Sequence, residues 1–213
     1  ILTMAGRVLY LSQWFWPEPA IRGLRVARDL QRRGHEVEVL TGFPNYPSGR
    51  LADGYRLAPY RRERHEGVTI HRVFLYPSHD RSSLNRALNY LSFFVSALIF
   101  CLTQLRRFDL IYVYHPPITS GLAAALTCAV WRKPFVLEVQ DLWPDSVAAS
   151  GMASTGALAR ILGPICRFVY RRAALVLGQS EGMAARLVEY GASPDRVDVL
   201  FNWADEDAAR TNG

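Results

Sequence analysis

Four polar side chains stand just after apolar runs, where a parallel sheet would offer them to a ligand: Glu18 in WFWPEP, His115 in HPP, and Asp141 and Asp145 in QDLWPDS. Carboxylates there could bind hydroxyls, and Asp141 could equally cap the turn that Pro144 favours. An imidazole at that place is either a structural hydrogen-bonder or a group that touches substrate. Trp143 between the two aspartates offers a flat face of the kind that holds a sugar ring. Trp14, Phe15 and Trp16 sit in one loop with Pro17 and Pro19. They read either as a cap on the core or as the wall of a binding cleft stiffened by two prolines.

Other chemistries are disfavoured. The first turn carries neither GxGxxG nor a P-loop lysine, and GxSxG is absent. The histidines lack metal-ligand spacing, so no metal and no cofactor is expected. Nucleic-acid binding would rest on charge alone, and no nucleic-acid partner is expected.

The elements that must position these groups alternate. Val8–Leu11 is a short run of the kind covered on both faces. Ile21, Leu24, Ala27 and Leu30 then share a helical face, Gly34 stands where a helix would end, and Val37–Leu40 begins a second strand. Further strands are expected at Val68–Phe74, Asp109–Tyr114, Pro134–Val139, Ala174–Gly178 and Val197–Phe201, with helices over 86–107, 119–131, 158–172 and 181–190. Gly42–Gly67 reads as a long connection that opens on the turn chemistry of GFPNYPSG, with Arg61, Arg62 and Arg64 as a solvated face or, less in keeping with such a run, an anion contact. The pattern predicts an α/β fold, a Rossmann-like doubly wound parallel sheet with helices on both faces. In such a sheet ligands gather beyond the carboxyl ends of the strands.

Half of the 213 residues are apolar, enough for a sizeable core, and the net charge of +6 favours anionic partners. Cys101, Cys128 and Cys166 are odd in number and each lies in an apolar helical pattern, which suits reduced thiols. The helix over 86–107 is apolar almost all round. It reads as a buried crossover, or as one that also dips into a membrane surface through Phe93 and Phe100 with Arg106 and Arg107 attracting anionic lipid.

The ordered set RGHEVEVLT, FWPEP, FPNYPSG, QDLWPDS and VDVLFNWAD resembles the N-terminal domain of bacterial family 4 glycosyltransferases of the GT-B class, of the colanic-acid and fucosamine transferase type. The resemblance implies an acceptor-side domain over 1–205, a hinge or tail over 206–213, and a donor-binding domain absent from the chain, the fragment alone being inactive. It implies retaining transfer, without a metal ion, from a nucleotide-sugar donor to a polyprenyl-diphosphate-linked acceptor. The setting would be cytoplasmic, peripheral on the inner membrane, in surface polysaccharide biosynthesis. His115 matches the histidine that contacts donor sugar in relatives. Trp14, Trp16, Glu18, Tyr46, Asp141, Trp143 and Asp145 would form the acceptor surface. The turn after the first strand keeps only Arg22 and Gly23 of the glycine-rich form that touches the donor diphosphate. A non-catalytic, membrane-anchoring subunit that completes a separate catalytic chain is the alternative.

Overall fold

The computed structural model describes residues 5–18, 22–78, 82–143, 145 and 156–202. The expected helix start at Ile21, Pro144 and the 206–213 hinge lie outside them. In chain order the elements are β1 (Arg7–Leu11), α1 (Gly23–Arg32), β2 (Glu36–Gly42), β3 (Tyr60–His65), β4 (Val68–Val73), α2 (Ser83–Gln104), β5 (Leu110–His115) and α3 (Ile118–Trp131). They continue with β6 (Phe135–Val139), α4 (Gly156–Arg172), β7 (Leu175–Gly178), α5 (Glu181–Glu189) and β8 (Val197–Val199).

One eight-stranded sheet runs β3-β4-β2-β1-β5-β6-β7-β8 and is parallel except for the β3–β4 pair. β1 lies at its centre, with Val8 opposite both Val37 and Leu110. Its side chains split by parity. Leu9 and Leu11 join the larger core with α2, α3 and α4, while Val8 and Tyr10 join the smaller core under α1. α1 ends where Gly34, at φ +90°, donates to the Gln31 carbonyl, a left-handed position that a side chain would strain.

Two expectations need correction. The connection over Gly42–Gly67 contains a strand, β3, antiparallel to β4 at the sheet edge. Its sequence YRRERH has no apolar alternation because an outer strand needs charge rather than a buried face. Arg61 and Arg62 there are exposed, and Arg61 lies 5.2 Å over the Tyr55 ring. The second correction concerns α2, which starts earlier than expected. The Ser82 hydroxyl caps it by accepting from the Asn85 N–H. Phe93 is fully buried and Phe100 nearly so, both packed into the core, so neither can face a membrane. The outward stripe is Leu84, Leu88, Leu91, Val95, Ile99 and Leu102. By length and composition alone this helix could span a bilayer, but its inner flank forms part of the core.

Candidate active site

Because β1, β2, β5 and β6 run parallel, the loops that follow them share one edge of the sheet. A chain of aromatic rings crosses that edge. Tyr46 lies 5.4 Å from Trp14, Trp14 meets Tyr90 edge-on at 6.4 Å, Tyr90 meets Trp143 at 6.2 Å, and Trp143 meets the His115 ring at 6.4 Å. Three of these five residues come from loops that the sequence points to, and His115 ends β5. Tyr90 comes from α2, and burial raises its phenol above the ordinary range. The signal available for it was the polar pair Asn89-Tyr90 inside an otherwise apolar helix. Asn89 fixes α2 to the edge: its amide oxygen accepts from Gln13 at 2.5 Å and its amide nitrogen donates to the Tyr76 carbonyl at 2.7 Å.

His115 closes the chain of rings at the end of β5. It is fully buried, and neither ring nitrogen has a hydrogen-bond partner among the described residues. Burial pushes its pKa down to about 3, so the imidazole is neutral at physiological pH. The ring rests against α3 at Gly121, where a Cβ would meet the Val169 side chain at 2.9 Å. Trp143 meets it edge-on, its own carbonyl accepting from the Tyr170 hydroxyl at 3.1 Å. The hydroxyls of Thr119 and Ser120, on the first turn of α3, are buried and equally unpartnered. Asp141 lies close enough to Tyr90 for its charge to act on that phenol, and its own carboxyl is lifted above the usual aspartate range by partial desolvation.

Several expected site residues do something else. Glu18 is a clamp between loops and not an exposed acceptor contact. Its carboxylate accepts from the backbone N–H groups of Phe15, Asn45 and Tyr46 at 2.8, 2.8 and 2.9 Å. Burial pushes its pKa up to about 6 against the pull of those hydrogen bonds and of Arg72. Arg72, also fully buried, donates to Glu63, to the carbonyls of Gly42 and Trp16, and to the Tyr55 hydroxyl. Trp16 lies away from the aromatic chain, stacked at 3.5 Å on the His65 ring of β3.

Asp145 is tied at the surface by Arg186 and Tyr190 of the α5 region, which hold its carboxyl below the usual range. Gly23 offers no open phosphate cradle. A Cβ there would sit 2.7 Å from the Phe15 ring, so the glycine serves the close packing of α1 on β1. Arg22 lies on the α1 side of the edge, within 3.8 Å of Glu138 and hydrogen-bonded to Asn202. Arg106 lies 5.3 Å over the Trp131 ring, and Arg107 pairs with Glu38 at 2.8 Å. Among the described residues no group of three or more His, Cys, Asp or Glu could hold a metal ion.

With this geometry in hand, the chain was compared with known proteins. The model of a family described as glycosyl transferase 4-like domain matches residues 19–203. An Escherichia coli (strain K12) protein described as a colanic acid biosynthesis glycosyl transferase, WcaI, is 28% identical over 188 residues, covering 83% of this chain and 44% of its own length. Two solved structures share the fold. Anabaena Alr3699/HepE in complex with UDP and glucose aligns over 95% of this chain and 46% of its own, at TM-score 0.56 and 16% identity. The catalytic domain of Arabidopsis thaliana starch synthase IV, bound to ADP and acarbose, aligns over 96% of this chain and 53% of its own, at TM-score 0.61 and 12% identity. The chain thus spans less than half the length of WcaI and about half of each solved structure.

Proposed function

The chain belongs to the glycosyl transferase 4-like domain family, and from that premise we propose that it forms the acceptor side of a retaining sugar transferase acting in surface polysaccharide biosynthesis. The donor is a nucleotide sugar and the acceptor a saccharide on a polyprenyl diphosphate. The observation that carries this reading is the run of rings from Tyr46 to His115 along the carboxyl edge, a surface for sugar faces that ends on an unpaired imidazole. HepE was solved with UDP and glucose together, which supports a nucleotide sugar as the donor class.

In the reaction the bond from the anomeric carbon to the donor diphosphate breaks. A bond to an acceptor hydroxyl oxygen forms on the same face, and the hydroxyl proton leaves on the diphosphate. A neutral His115 is suited to hydrogen bonding with a sugar hydroxyl rather than to carrying a charge. Negative charge developing on the diphosphate needs positive groups preorganised around it. Those belong to a companion lobe across the edge, so this half alone is expected to turn over negligibly. No metal ion is needed.

The test is transfer of radiolabelled sugar by a protein containing both lobes. His115→Ala lowers turnover there, and unchanged kinetics would exclude the role. The same proposal places the protein on the cytoplasmic face of the inner membrane. The outward stripe of α2 lies on the lipid, with Arg106, Arg107, Arg132 and Lys133 nearby. Sedimentation with anionic vesicles at low salt, lost at high salt, is the expected result. The rival reading, an anchoring subunit without catalysis, draws on the same stripe and predicts no effect of His115→Ala on its partner's rate.

A further inference from the structure

A furrow runs along the flank of α2 that faces the β3–β4 edge. Its upper part, about 430 Å³, is walled almost wholly by carbon from Phe74, Tyr76, Leu88, Leu91 and Val95. Its lower part, about 680 Å³, continues between Tyr60, Val73, Ile99 and Phe100 and ends at Arg62 and Arg107. The two parts share Phe74 and Ser96 in their walls, so they adjoin along the helix.

The two ends differ in chemistry. Arg62 has no carboxylate partner among the described residues, although β3 also carries Glu63, which pairs with Arg61 and Arg72. Arg107 gives one terminal nitrogen to Glu38, while its Nε is buried without an acceptor. Two guanidinium donors at one end of a carbon-walled channel match an amphiphile with an oxyanion head. A free anion has no use for the apolar upper part, and a neutral hydrocarbon has none for the arginines.

The acceptor's own diphosphate does not fit here. Seventeen residues of helix separate Tyr90, on the aromatic edge, from Arg107. That is about 25 Å at 1.5 Å per residue, too far for a phosphate linked directly to the reacting sugar. Lengths agree better with a membrane lipid. One leaflet of a bilayer is about 15 Å of hydrocarbon, close to the rise of α2 from Leu88 to Ile99.

We propose that this furrow seats one acyl chain of an anionic phospholipid, with its phosphate against Arg62 and Arg107. The proposal rests on the reading that the protein works at a membrane surface. It turns a general attraction to lipid into a defined site.

The experiment is calorimetric titration of the purified protein with monomeric 1-palmitoyl-lysophosphatidylglycerol, below its micelle concentration. One molecule binds per chain. The phosphatidylcholine analogue with the same tail binds about tenfold more weakly, and inorganic phosphate does not bind measurably. Arg62→Glu and Ser96→Trp, which reverse the charge and fill the channel, each weaken binding about tenfold. Unchanged urea midpoints show that both variants fold, and Ser96→Leu replaces the larger residue if Trp disturbs the helix.

Equal binding by wild type and both variants overturns the site. Phosphate binding as tightly as the lipid shows an anion site only, and overturns it too. Sedimentation with phosphatidylglycerol vesicles without binding of the monomer shows a surface contact only, with the same consequence. Transfer of sugar by the same variants placed in the two-lobed protein, in detergent and to a soluble acceptor, is read separately. Its loss in wild type would defeat the transferase reading while leaving the lipid result standing.

Discussion

Glu18 with Arg72, and His115 beside Trp143, are equally hidden from water, yet they have opposite partners. The Glu18 carboxylate accepts three backbone N–H groups and the Arg72 guanidinium donates to four oxygens. His115 has no hydrogen bond on either nitrogen. A buried polar group left unpaired costs stability, so such a group persists where something outside the fold uses it. The fully bonded pair holds the loops after β1 and β2 together. The unbonded imidazole marks where a ligand is expected. Burial alone does not separate the clamp from His115, whereas their hydrogen-bond partners do.

The sharpest way to break that contrast is to remove the clamp. Arg72→Met strands the Gly42 and Trp16 carbonyls and leaves Glu63 to Arg61 and the Tyr55 hydroxyl, and should lower unfolding free energy by about 3–5 kcal/mol in urea titrations. A loss below about 1 kcal/mol would mean the clamp is incidental.

His115 should respond in the opposite sense. His115→Phe removes an unsatisfied group and keeps a ring, so stability should stay level or rise. Turnover in the two-lobed protein should fall about a hundredfold, equivalent to about 2.7 kcal/mol. A variant that lost stability while keeping its rate would reverse the assignment of the two regions.

Glu18→Gln is milder. One amide oxygen can still accept, and the cost should be about 1–3 kcal/mol, seen as a lower urea midpoint.

The last contrast is in pH dependence. His115 binds a proton in the unfolded chain below its ordinary value of 6.5, but in the folded protein only near 3. Stability should therefore fall as pH drops from 6.5 toward 3, by at most about 1.4 kcal/mol per unit. Glu18 has the opposite sign. Its folded pKa of about 6 exceeds the usual 4.5, so it favours the folded state as pH falls through that interval. Between pH 6 and 4.5 the two oppose each other in the wild type. In His115→Phe the fall from His115 is gone while the rise from Glu18 stays, and urea midpoints measured at pH 6.5 and 4.5 should diverge between the two proteins.

The convergence of Trp14, Tyr46, Trp143 and His115 was legible because apolar runs announce parallel strands, and parallel strands put their following loops on one side. The assignment of Glu18 failed for a reason sequence cannot express. A carboxylate on a loop looks the same whether it faces solvent or folds inward onto three amides. β3 escaped notice because an edge strand hides its period behind charge. Phe93 and Phe100 were turned the wrong way because a helix apolar on nearly every side gives weak notice of which side meets the sheet.

The fixing of α2 has a mechanical consequence. Asn89 ties its upper half to the loops at the edge, and the Trp131 indole N–H, donating to the Leu102 carbonyl, staples its lower half to α3. A rod pinned at two points and carrying Tyr90 near one end transmits load instead of absorbing it. Whatever tugs on the far tip is felt, with little slack, among the rings where sugars are expected to rest.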